Sequence, residues 1–254
     1  MMKRLDVLLV EKGFFASRER AQVAIRAGLV RVDGRVREKP GEKFPPAVRI
    51  EVAGDPIPYV GRGGLKLAAA LDHFRIDVTG LAALDVGAST GGFTDCLLRR
   101  GAARVYAVDV GHGQLAEPLR GDPRVVNLEG TDVRALDRVL VPSPIGIAVA
   151  DVSFISLTKI LPYVDELVAP GGTVIGLIKP QFEAGPDRVG KGGLVKDPAA
   201  RREAVELILG AAVSLGLTCR GTIESPIRGG DGNVEYLACW IRRRKEMAAP
   251  QSNN

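Results

Sequence analysis

The chain has 254 residues, 46% of them apolar, enough for one large domain or a large and a small one. No apolar run approaches the length of a bilayer span, and Asp6 and Glu11 break the N-terminus too early for a signal peptide, so a cytoplasmic protein without a membrane partner is expected. The net charge of +5 is unevenly placed: residues 1–60 carry 12 Lys and Arg against 8 Asp and Glu. That surplus suggests an anionic partner for the N-terminal part, or simply a surface tuned for solubility. Cys96, Cys219 and Cys239 are too scattered for a zinc site or a disulfide framework, so no metal and a reducing compartment are expected.

In chain order, Leu5, Leu8 and Leu9 predict a first helix that Gly13 stops. Ser17 caps a second, "RERAQVAIRA", closed by Gly28. "LVRVDGRV" reads as a hairpin turning at Asp33-Gly34, and "VRIEV" as a further strand. The Gly- and Pro-rich stretch at about residues 53–64 reads as a linker, which leaves residues 1–60 as a small α+β unit. Strand-helix alternation follows. Helix "LKLAAALDHF" precedes strands "AALDVG", "RVYAVDVG", "RVVNLEGTD", "IGIAVADVSF" and "TVIGLIK". "LTKILPYVDELVAPGG" is expected to be helical despite Pro162. Asp197 caps a long helix with a buried stripe of Val205, Ile208, Leu209, Ala212 and Leu215. "LTCRGTIES" and "VEYLACWIR" predict a terminal antiparallel pair. The class is α/β: a mostly parallel, Rossmann-like sheet over residues 61–245, then a polar tail at 246–254 expected to fray.

"LDVGASTGGFTD" joins the first strand of this sheet to its helix, where such folds hold ligands. It has neither the G-x-G-x-x-G dinucleotide spacing nor a G-x-x-x-x-G-K-[ST] phosphate loop. Asp85 precedes Gly87, and Gly91 and Gly92 open the helix. An acid at the strand end repels a pyrophosphate and attracts a cation such as the ammonium and sulfonium of S-adenosylmethionine. Asp109 ends the second strand and can accept from two ribose hydroxyls; Asp132 follows the third and can accept from an adenine amino group. Each acid alone could equally cap a turn. Three at successive strand ends, with Ser89 in the turn, predict an S-adenosylmethionine site.

"VIGLIKPQFE" places Lys179 on the last extended position before a proline, at a sheet edge. A lone lysine there would ordinarily snorkel to water.

These stretches resemble known families. "DVGASTGGFTD" looks like the motif of FtsJ-like ribose methyltransferases, which adds Thr90 and Phe93 to the expected cofactor residues. "SRERAQVAIRAGLVRVDGRVREKPGEKF" resembles the S-four-type RNA-binding domain. Their order, with "VGRGGLKL", "ADVSFISL", "LIKPQFEAG" and "GNVEYL", resembles the TlyA family of ribosomal RNA methyltransferases, also called hemolysin A. The resemblance implies 2′-O-methylation of cytidine in ribosomal RNA of one or both subunits. It also implies a Lys-Asp-Lys-Glu tetrad, falling by motif on Lys66, Asp151, Lys179 and Glu235. Lys179 would then be the base or the group that orients the hydroxyl, held by the other three, with Lys66 near it.

The basic N-terminal unit would grip RNA. Arg4, Arg18 and Arg20 are expected on its helices, and Arg31, Arg35 and Lys39 on or near its hairpin, reading shape more than sequence. Phe14 and Phe15 read as core. "GPDRVGKGGLVKD" is either a lid over the RNA or a mobile loop. The competing readings are a non-catalytic ribosome assembly factor, for which a full tetrad would be needless, and a membrane-active cytolysin, which no amphipathic membrane helix supports. A pseudouridine synthase would not need the methyl-donor turn. Oligomeric state is open, with a monomer favoured.

Overall fold

A computed structural model describes residues 1–55 and 57–243. The chain forms two compact units that part between Arg62 and Gly63. The predicted fraying tail lies outside the described residues.

In the first unit β1 (Lys3–Arg4) leads into α1 (Leu5–Glu11) and α2 (Arg18–Arg26). Ser17 caps α2 by accepting from the Arg20 N–H. The hairpin forms as read: β2 (Val30–Val32) and β3 (Arg35–Val36) turn through Asp33 and Gly34, both at positive φ, and β5 (Ile50–Val52) pairs with β2. A short β4 (Lys43–Phe44) pairs with β1. Two residues offer too little periodicity for either strand to be read from sequence. Leu5, Leu8, Leu9, Ala24, Ile25 and Val30 fill the core. Phe15 joins them, but Phe14 is 42% exposed, against its expected place in the core.

The second unit opens with α3 (Gly63–Phe74), so the last two residues of the expected linker are already helical. Then come β6 (Ala82–Val86), α4 (Gly92–Arg99), β7 (Arg104–Asp109), α5 (Glu117–Arg120), β8 (Val125–Glu129), β9 (Ile145–Ala150), α6 (Leu161–Leu167), β10 (Val168–Ile178), α7 (Pro180–Glu183), α8 (Pro198–Ser214), β11 (Leu217–Glu224) and β12 (Tyr236–Arg242). Seven strands make one sheet in the order β11-β12-β10-β9-β6-β7-β8. β10, β9, β6, β7 and β8 run parallel; β12 is antiparallel to β10 and to β11. This is the Rossmann-like class expected. Chain order reverses direction between β6 and β9, which opens the crevice at their carboxyl ends.

Three local readings need correction. The helix expected through Gly172 ends at Leu167, where β-branched Val168 instead pairs with Ile145 to begin β10. Pro162 sits in the first turn of α6, where its missing N–H leaves no bond unmade. On α8 the fully buried stripe is Ala200, Ala204, Ile208 and Ala212. Val205 and Leu209 flank it, while Leu215 at the C-cap is 37% exposed.

Candidate active site

At the crevice, Gly87 follows β6 with φ +82°, and a Cβ there would stand 2.5 Å from the Asp151 carbonyl oxygen. Only glycine lets the turn lie this close to the chain leaving β9. A cavity of about 370 Å³ opens here, lined among others by Gly87, Ser89, Asp109, Asp132, Asp151 and Phe154. Asp109 accepts the Ser89 N–H on one carboxylate oxygen at 2.7 Å and the Gly111 N–H on the other at 2.8 Å. These two bonds leave part of its acceptor capacity unused. Asp132 is committed differently: Arg134 grips both its oxygens, the closest contact being 2.6 Å, and its side chain also caps the turn that follows. The capping alternative therefore holds for Asp132 as a local bond, although the residue lines the cavity.

Asp85 lies beneath the turn with no exposure. Thr94 donates to one oxygen at 2.6 Å, and the other has no partner. Burial pushes its carboxyl up to about 7; the Thr94 hydrogen bond opposes this, and the charges of Asp151 and Asp109 reinforce it. Thr90, Gly91, Gly92 and Phe93 form the turn and first residues of α4 and are not among the residues lining the cavity. Phe93 is buried within 3.3 Å of where a Gly63 Cβ would lie.

The four tetrad positions come together as two ion pairs. Lys179 Nζ stands 2.6 Å from Asp151 Oδ1, off the angle of a hydrogen bond, and donates to Ser153 Oγ at 2.9 Å. Lys66, on α3, donates to Glu235 Oε2 at 2.6 Å. The pairing of Ile178 with Tyr236 sets Lys179 and Glu235 one step beyond a shared register position on adjacent strands. Lys179 is 9% exposed at the carboxyl end of β10, which is an interior strand. That corrects both the sheet-edge placement and the snorkelling alternative. Each lysine has its own carboxylate partner.

Sequence reading missed Phe154 and Ser153. Phe154 is 92% exposed, holds φ +64°, and its ring centre lies 5.2 Å from that of Phe182. Phe182 in turn lies 5.9 Å from Lys179 Nζ. In the sequence Phe154 looked like the end of a strand; the strand stops at Ala150, so the ring faces water instead of core.

The expected RNA-binding residues divide. Arg31, Arg35 and Lys39 are exposed. Arg4, which lies on β1 and not on a helix, donates twice to buried Asp6 at 2.9 Å, and Arg18 donates to the same carboxylate at 3.1 Å. Both keep about half their side-chain surface exposed. Arg20 does not present a free guanidinium. Its donors go to Asp55 and to the carbonyls of Ile57, Tyr59 and Val60, inside the expected linker. A guanidinium has five N–H groups, and these five contacts use them.

Residues 59–242 match the FtsJ-like methyltransferase family and residues 3–50 the S4 domain. The chain is 44% identical over 246 residues to the 16S/23S rRNA (cytidine-2′-O)-methyltransferase TlyA of Mycobacterium tuberculosis, covering 96% of this chain and 91% of that protein. A solved structure from Streptococcus thermophilus that bears a hemolysin label is 42% identical, with TM-score 0.75, covering 95% of this chain and 89% of that one. An S-adenosylmethionine-dependent methyltransferase from Mesorhizobium loti, 17% identical, shares the fold with TM-score 0.52 over 72% of this chain and all of that one. No helix among the described residues is long and apolar enough to cross a membrane.

Proposed function

Because the chain belongs to the FtsJ-like methyltransferase family, we propose that it transfers a methyl group from S-adenosylmethionine to the ribose 2′-hydroxyl of a cytidine in ribosomal RNA, in the cytoplasm. The carrying observation is the Lys179–Asp151 couple at the mouth of the β6/β9 crevice, beside a second buried couple, Lys66–Glu235.

The residues present fit the cofactor. Gly87 lets the turn close against the chain leaving β9, Asp109 lines the cavity with unused acceptor capacity, and Asp85 carries an unpartnered buried oxygen beneath the turn. Bound there, the cofactor supplies an activated methyl group, so the protein need only position the hydroxyl and remove its proton.

An ammonium has three donors. Lys179 donates one to Ser153 and pairs its charge with Asp151, which leaves donor capacity for the 2′-oxygen. Lys179 thus orients the hydroxyl and faces the negative charge that builds on its oxygen as the C–O bond forms. The 2′-hydroxyl proton passes to the Asp151 carboxylate, because an ammonium has no lone pair to accept it. Lys66 and Glu235 hold the floor beside it, and Phe154 offers a face on which the base of the target nucleotide stacks.

The N-terminal unit supplies affinity through Arg4, Arg18, Arg31, Arg35 and Lys39. The test is nucleoside analysis of unmodified ribosomal subunits treated with the protein and cofactor. 2′-O-methylcytidine is the expected product; a base-methylated nucleoside or no methylated product would refute the reading.

A further inference from the structure

The segment from Gly185 to Lys196 joins α7, which follows Lys179, to α8. It is neither a loose connection nor free of the site. Gly190 donates to the Leu194 carbonyl at 2.9 Å, forming a bridge, and Gly192 and Gly193 turn at φ +77° and +76°. Asn233, only 2% exposed, holds the loop from the other side. Its amide nitrogen donates to the Gly193 carbonyl at 2.8 Å, and its oxygen accepts the Val195 N–H at 2.9 Å.

Asn233 lies two residues before Glu235. The turn it closes, with the Gly229 N–H on the Asn233 carbonyl at 3.0 Å, brings Gly229 so near the Glu235 carboxylate that any side chain there would collide with it. Both attachments of the loop are therefore catalytic segments: one leads from Lys179, the other leads into Glu235.

Fixing a twelve-residue segment costs conformational entropy. A buried asparagine spent on two backbone bonds recovers part of that and leaves the loop's charges in set positions. Arg188 is engaged by Asp197 and Glu203, each at 3.3 Å. Lys191 and Lys196 are exposed and form no ion pair among the described residues, and they outnumber the exposed Asp187. Exposed ammonium groups on a rigid rim suit phosphates, which lysine binds as a point charge.

We propose that this loop is a fixed rim that grips the ribose-phosphate backbone of the substrate RNA beside the target nucleotide, through Lys191 and Lys196, with Asn233 as its positioning residue. This rests on the reading of the protein as an RNA methyltransferase.

The test compares the full chain with Lys191→Ala/Lys196→Ala and with Asn233→Ala. Affinity for protein-free, unmodified ribosomal RNA is measured from about 50 to 200 mM salt, alongside cofactor affinity and steady-state kinetics. In the double variant RNA affinity should fall about fivefold or more at low salt. The slope of log affinity against log salt should flatten by roughly 1.5, at 0.7–0.9 per lost phosphate contact. Cofactor affinity should not move. Asn233→Ala should raise the KM for RNA more than it lowers kcat. The lysines are exposed, so the double variant keeps the test readable if Asn233→Ala fails to fold. Unchanged RNA affinity and slope in the double variant would overturn the proposal. So would a loss seen on ribosomal subunits but not on protein-free RNA, which would mean that the rim meets a protein. Affinity is read without turnover, so failure of the methyltransferase reading would show separately, as a wild type that binds RNA and makes no product.

Discussion

Lys66 and Glu235 form an ion pair at 2.6 Å with side chains only 10% and 3% exposed, bridging the first helix of the second unit to the strand beside Lys179. Each charge is tolerable there only because of the other. Glu235→Ala would strand a buried ammonium and is expected to cost about 3–5 kcal/mol of stability, whereas the double change Lys66→Met/Glu235→Leu should cost much less. Chemical denaturation of the single and double variants checks this. Both should lose turnover, because the couple also floors the site.

Asp85 makes stability depend on pH in an unusual direction. Its folded value of about 7 stands above the unfolded value of roughly 3.9. The folded state therefore binds that proton more tightly, and the stability it lends is complete below about pH 4 and lost as pH rises through 7. Asp85→Asn cannot titrate. The difference in Tm, variant minus wild type, should grow between about pH 5 and 8. A constant difference across that range would contradict the assignment.

Arg20 should behave as a structural residue. Arg20→Ala removes the donors that hold Asp55, Ile57, Tyr59 and Val60 in place. Protease cleavage within residues 53–62 should accelerate, while Arg35→Ala, at an exposed hairpin position, should leave cleavage unchanged and weaken RNA binding. The reverse pattern would restore Arg20 to the RNA surface.

Phe154 keeps an exposed ring in a left-handed backbone conformation, 5.2 Å from the ring of Phe182, which lies 5.9 Å from Lys179 Nζ. Base stacking on such a ring contributes about 1–3 kcal/mol. Phe154→Ala should therefore raise the KM for RNA about tenfold, while Phe154→Tyr stays close to wild type and cofactor affinity is unaltered in both. Equal effects of Ala and Tyr would argue for a packing role.

Much of this architecture was legible because it is periodic or capped. Ser17 and Asp197 announce their helices, Asp33-Gly34 its hairpin, and the strand-helix alternation the parallel sheet. The tetrad positions were legible only through resemblance to a family, since nothing in local spacing ties Lys66 to Glu235 across 169 residues. What stayed hidden depends on tertiary partners. Arg20 looks like any basic helix residue until the linker folds back onto it. Asn233 lies in the "GNVEYL" stretch, but nothing in the sequence shows that its amide closes on the loop before α8, and the exposure of Phe154 follows from a strand ending four residues earlier than its hydrophobic run suggests. The two-residue strands β1 and β4 exist only as each other's partner.

The most direct measurement is transfer of labelled methyl from S-adenosylmethionine to small and large ribosomal subunits lacking their own modification, with wild type and Lys179→Ala side by side and cofactor binding measured on both. The expected result is label at a cytidine ribose 2′ position with the wild type, a fall of about 10²-fold or more with Lys179→Ala, and equal cofactor affinity. Near-normal transfer by a folded, cofactor-binding Lys179→Ala would contradict it.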